Sequence, residues 1–167
     1  TFSKTYAMTG WRLGYLVCRD KKLTNIIKLG DYTQTAGIPT YTQFAGAEAL
    51  TNAEKEKESV DSFMNEFVIR RNALYNGLNS IDGIKLPLKP DGAFYIFPDF
   101  SEFVPKNIKP EDGKLYIFNK LMDAGVATVY GSCFGKYFLH NLRFSYSTTN
   151  LDQIEEGLSR IKYALNK

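Results

Sequence analysis

The chain has 167 residues, 44% of them hydrophobic and 23% charged, a balance that fits a soluble globular fold with one core or one small domain plus part of a second. A net charge of +3, with its Lys and Arg scattered, argues against nucleic acid, and no apolar run reaches the length of a membrane span. One histidine and two widely separated cysteines, Cys18 and Cys133, make no metal-ligand set and read as reduced thiols of an intracellular, cytoplasmic protein.

Residues 1–12 gather a lysine, hydroxyls, Gly10, the one tryptophan and an arginine, and lead into the β-type run "LGYLVC" at 13–18. That run reads as a buried strand with Cys18 in its core, and the loop before it as a site at a sheet end. A helix follows over about 21–31. The segment "TAGIPTYTQ" reads as a loop because Pro39 disfavours helix at the residue before it. A short helix through "TQFAGAEAL" comes next. The charged run "NAEKEKESVDSF" reads as the solvated start of a long helix to about residue 80, with Val60, Phe63, Phe67, Leu74 and Leu78 on one side and Arg71 interrupting the stripe.

Beyond Gly83 the texture turns to strand. "IKLPL" and "GAFYIFPDF", separated by the turn residues "KPDG", predict an antiparallel pair, with the "AFYIF" aromatics in the core on one face. A helix then starts near Pro110, carries Leu115, Phe118 and Leu121, and stops at Gly125. "VATVY" and "LRFSYS" are further strands. The last helix opens at Asn150, with Gln153 in the reciprocal capping position, and carries Leu151, Ile154, Leu158, Ile161 and Leu165 on one stripe. The order is α/β, without repeats or low-complexity segments.

Lys4 alone would be a solvated lysine. Its setting favours an amine that acts as a nucleophile toward a carbonyl and then as a proton carrier. Arg12 offers a planar fork for phosphate oxygens, and Thr1 adds a hydroxyl. His140 reads as structural. A bare Thr1 could alternatively be the nucleophile of an N-terminal hydrolase, which requires a sandwich of two antiparallel sheets and leaves Arg12 and Trp11 without a role.

The opening "TFSKTYAMTGWRLGY" is similar to the pyridoxal-phosphate lysine signature of class I and II aminotransferases, S-x-S-K-x-x-x-x-x-G-x-R. The resemblance implies that Lys4 forms the Schiff base with the cofactor, and that Arg12 and Thr1 bind its phosphate; Thr1 stands where the family usually has serine. "DGAFYIFPDF" resembles the family's glycine-aromatic strand pair. "NLRFSYS" resembles the segment whose arginine grips the substrate α-carboxylate, which assigns that role to Arg143. "VATVYGSCFG" resembles a stretch that usually has proline where Tyr130 stands, which puts the turn geometry in question.

The resemblance further implies the C-terminal portion of a fold type I pyridoxal-phosphate transferase. Residues 1–50 would be the end of the large domain's mixed sheet, and residues 51–167 the connecting helix and small α+β domain. Such enzymes are homodimers at full length, and the portion by itself is expected to be inactive, with Leu13, Leu16 and Val17 exposed. The implied reaction is ping-pong transamination between an amino acid and a 2-oxo acid, with aspartate and 2-oxoglutarate as the best single pair. An aromatic amino acid aminotransferase and a cofactor-binding regulatory module fused to a DNA-binding region remain as alternatives.

Overall fold

The computed structural model describes residues 1–166. The chain divides within one long helix into two compact units, Thr1–Met64 and Asn65 onward. Three α-helices occupy the first part of the chain: α1 (Lys21–Thr35), α2 (Thr40–Thr51) and α3 (Ala53–Asn79), the last shared between the units. Asp20 caps α1, its carboxylate accepting from the N–H groups of Lys22 and Leu23 at 2.8 and 3.1 Å. At its other end Ala36 is left-handed and closes the helix through the Tyr32 carbonyl. α2 begins at Thr40, directly after Pro39, two residues before the expected start. The proline constrains the residue that precedes it and leaves the following one free to be helical.

The first unit's core is a cluster of Phe2, Met8 and Leu13, joined by Tyr6, Ile38, Ala45 and Ala49. It seats on α2 at Gly46, where an added Cβ would collide with the Leu13 side chain and lie 3.4 Å from the Phe2 ring. Leu13 is therefore buried, against expectation. The segment after it is not the expected strand: residues 13–20 carry no assigned secondary structure, and Leu16 and Val17 are exposed. A strand exists only through a ladder, and among the described residues nothing pairs with this one. Cys18 is accordingly half-buried and is not a core residue.

The second unit packs the end of α3, α4 (Pro110–Asp123) and α5 (Leu151–Leu165) with an antiparallel sheet. Its strands are β1 (Tyr95–Ile96), β2 (Val129–Tyr130) and β3 (Leu142–Ser145), in the order β1-β3-β2. Register places Tyr95 opposite Ser145 and Val129 opposite Arg143. The expected "IKLPL" strand contributes only an isolated bridge, Lys85 to Asp99. Leu74, Leu78, Ile96, Phe100, Leu142, Phe144, Tyr146, Ile154 and Ile161 form the centre of the core. On α4 the buried pair is Ile117 and Leu121, one turn apart, whereas Leu115 is half-buried.

Local chemistry explains the element ends. After α4, the Val126 N–H bonds to the Leu121 carbonyl at 2.8 Å and that of Gly125 to Met122 at 2.9 Å, around a left-handed Gly125. That is the paired closure in which glycine avoids a Cβ clash. At α5, Asn150 and Gln153 cap each other's backbone N–H groups at 2.8 and 3.0 Å. Gly77 on α3 lacks the Cβ that would collide with Leu158 of α5, so side chain meets backbone there. Arg71, which breaks the apolar stripe of α3, donates to the Pro90 carbonyl at 3.0 Å.

Candidate functional site

In the first unit, residues 1–13 close on themselves through a chain of hydrogen bonds. The Thr1 hydroxyl donates to the Leu13 carbonyl (3.3 Å) and accepts from the Ser3 N–H (3.4 Å). The Ser3 carbonyl accepts the Thr9 hydroxyl at 2.8 Å, and the Thr9 carbonyl accepts Nη1 of Arg12 at 3.2 Å. The Phe2 N–H adds a backbone bond to Leu13 at 3.2 Å. Lys4 lies inside this circuit with an exposed side chain, on a turn closed by the Ala7 N–H to the Lys4 carbonyl at 3.1 Å.

Arg12 adopts a left-handed conformation, φ 53°, at the end of a short 3-10 turn, Thr9–Trp11. This is uncommon for a residue with a Cβ, and such departures cluster at functional sites. The Arg12 residue is exposed, and the Thr1 and Ser3 hydroxyls are hydrogen-bonded to each other at 3.2 Å; guanidinium and hydroxyl groups are the kinds of donor that an anionic group such as a phosphate accepts from. A Cβ at Gly14 would lie 3.8 Å from the Thr1 Cα, an ordinary contact, so the close return does not depend on glycine there. Gly10 has open space around it.

A tether that sequence reasoning missed holds the loop from below. The Tyr6 hydroxyl donates to Oε1 of Glu56 on α3 at 2.7 Å. That bond to a carboxylate, with some burial, pushes the Tyr6 phenol above its ordinary value. Glu56 belongs to the charged run that reads as solvated, and nothing in its spacing marks it out.

Arg143 lies in the second unit, on β3. Strand alternation buries Leu142 and Phe144 and turns Arg143 and Ser145 to the other face. There its guanidinium lies over the Tyr95 ring at 4.4 Å and the Phe134 ring at 5.2 Å. Contacts of this kind contribute roughly 0.5–1 kcal/mol at exposed sites. Among the described residues no acidic side chain lies within ion-pair distance of it. Tyr95 and Phe97 therefore look away from the core that holds Ile96, so the "AFYIF" aromatics divide between two faces.

Tyr130 has φ −70°, the value a proline would impose, so the turn keeps its geometry without proline. Gly131 follows, where a Cβ would collide with the Phe138 carbonyl and reach the Asn141 carbonyl at 2.6 Å. His140 contributes its carbonyl to the Phe100 N–H at 3.0 Å, a structural contact. Among the described residues no cluster of His, Cys, Asp and Glu is placed to hold a metal ion, and no helix is long and apolar enough to cross a membrane. The sheet among the described residues has three strands, and the sandwich of two antiparallel sheets that the N-terminal hydrolase reading requires is not found among them.

The profile of the family described as Aminotransferase class I and II matches residues 1–161, and the chain belongs to that family. A probable aspartate aminotransferase of Methanocaldococcus jannaschii is 40% identical over 96% of this chain and 40% of its own length. A probable aspartate/prephenate aminotransferase of Aquifex aeolicus is likewise 40% identical, over 99% of this chain and 40% of its own. Among solved structures, a mutant of the Thermus thermophilus aspartate aminotransferase superposes with a TM-score of 0.81 at 32% identity, covering 96% of this chain and 41% of that one. The aromatic aminotransferase of Pyrococcus horikoshii gives 0.82 at 34% identity, covering 99% and 41%. The fold is thus the corresponding part of the fold type I architecture. The chain spans about 40% of the length of the curated relatives it matches.

Proposed function

We propose that the chain forms the part of a pyridoxal-phosphate aminotransferase that carries the cofactor's lysine and the arginine for the substrate carboxylate, within an enzyme of its relatives' length. The observation that carries this reading is the closed loop of residues 1–13, in which hydrogen bonds link Thr1, Ser3, Thr9, Arg12 and Leu13 on the two sides of Lys4 in the sequence. When bound, pyridoxal phosphate supplies the electron sink for negative charge at the substrate α-carbon. Lys4 would hold the cofactor through Nζ, and its amine would carry a proton at the substrate α-carbon. Arg12 donates its fork to phosphate oxygens and Thr1 its hydroxyl, which orients the group and neutralises its charge. Arg143 receives the α-carboxylate of the amino acid and of the oxo acid alike, so one clamp serves both half-reactions. Residues 1–50 correspond to the large domain and residues 51–167 to the connecting helix and small domain of a cytoplasmic homodimer.

Aspartate and 2-oxoglutarate are the preferred pair. The support is the aspartate aminotransferase names of relatives in Methanocaldococcus jannaschii, Pyrococcus abyssi and Pyrococcus horikoshii, at 34–40% identity. Aromatic amino acids are the second reading, because relatives at 36% and 34% identity carry that name. The test is a survey of amino donors with 2-oxoglutarate in the complete enzyme. Aspartate should give the highest kcat/KM; preference for tyrosine or phenylalanine selects the second reading, and no turnover with any donor overturns both.

A further inference from the structure

The guanidinium of Arg143 lies over two aromatic rings, Tyr95 at 4.4 Å and Phe134 at 5.2 Å, with no acidic side chain among the described residues in ion-pair range. An arginine secured by a carboxylate has its in-plane N–H donors occupied. One secured by rings has its faces occupied and its donors left at the edge, the direction from which a planar carboxylate approaches as a bidentate partner. From this we infer that Tyr95 and Phe134 are positioning residues that aim Arg143 at a substrate carboxylate while keeping its donors available. The inference rests on the reading of Arg143 as the carboxylate clamp.

The supporting frame is built from the sheet and the turn beside it. Tyr95 is opposite Ser145 in the register, which makes it the diagonal neighbour of Arg143, within reach of a ring and a long side chain. Phe134 ends the turn Gly131–Phe134 and is braced edge-on by Phe97 at 5.5 Å. Phe97 is itself braced by Phe138 at 5.4 Å. The Gly131 N–H to the Asn141 carbonyl, at 2.7 Å, ties this turn to the residue just ahead of β3. Neither Tyr95 nor Phe134 belongs to the buried core, and Phe134 is 45% exposed. A large ring left so open beside a cation has more to do with that cation than with packing.

The test follows the Arg143 Nε–Hε resonance of the ¹⁵N-labelled protein by NMR, together with the backbone amide resonances of β3, which report on Arg143→Ala as well, during titration with sodium propionate, with sodium chloride as the ionic-strength control. Propionate alone should move these resonances. Tyr95→Leu and Phe134→Leu should each weaken propionate binding by roughly two- to fivefold. Tyr95→Phe and Phe134→Tyr, which keep the ring, should bind as the parent does, and they separate loss of the ring from loss of the fold. Equal weakening in the ring-keeping variants would overturn the inference. So would parental binding in both leucine variants when Arg143→Ala has lost it, although the clamp itself would stand. Undiminished propionate binding in Arg143→Ala would instead remove the clamp reading and the positioning role together.

Discussion

At the scale of single residues, the roles proposed for the two arginines are separable by experiment. Arg12 sits in the lysine loop with its fork exposed, so Arg12→Ala should weaken pyridoxal-phosphate retention by about tenfold or more, the loss of one charge-assisted partner. Arg143→Ala should leave the cofactor bound and raise KM for amino acid and oxo acid alike. Absorbance titration with the cofactor and steady-state kinetics on both substrates check the pair, and a change in only one substrate's KM would contradict the clamp. Tyr146 offers a pH test. It is 1% exposed, its phenol donates to the Ala93 carbonyl at 3.1 Å, and burial raises its pKa, with the Arg71 charge pulling the other way. Above the unfolded value of about 10 the unfolded chain loses this proton and the native state keeps it. That contribution is therefore whole below pH 10 and declines as pH rises through the native value. Tyr146→Phe should cost about 1 kcal/mol at pH 7 and flatten this alkaline decline, as read by denaturant unfolding across pH.

At the scale of elements, helices with local signals were legible and strands that depend on distant partners were less so. Asn150 with Gln153, and Gly125 after α4, carry their own hydrogen-bond logic within a few residues, and both ends stand where that logic puts them. "LGYLVC" has the composition of a strand, but pairing is a property of two segments, and among the described residues no strand forms a ladder with it. The contact of Arg143 with the Tyr95 ring depends on the register of β1 against β3, which Tyr95 does not reveal by its neighbours alone. Helix glycines give a paired prediction. Gly46→Ala forces a Cβ against Leu13 and should destabilise the first unit by about 1–3 kcal/mol. Gly157→Ala on α5 meets nothing within 4 Å and should stabilise the second unit by about 0.5–1 kcal/mol. Amide hydrogen exchange resolved by residue reads both, and equal effects from the two substitutions would contradict the packing described.

For the whole molecule, the family was legible from the opening signature because its unusual residues recur at fixed spacing. What spacing could not show is how little apolar burial supports that loop within this chain. The first unit's core is Phe2, Met8 and Leu13 with a few partly buried neighbours, while Ile26, Leu29, Tyr32, Tyr41 and Phe44 are exposed. The second unit buries residues from three helices and the sheet. Slow-exchanging amides should therefore concentrate after residue 65, and α1 should exchange fastest among the helices. Uniform protection along the chain would show that the two units share one cooperative core. The central claim, that Lys4 is the cofactor's lysine, is tested most directly by borohydride reduction of the complete enzyme with pyridoxal phosphate, followed by peptide mapping. The account predicts a stable phosphopyridoxyl group on Lys4; its appearance on Lys22, Lys28 or another lysine, with Lys4 unmodified, would contradict it.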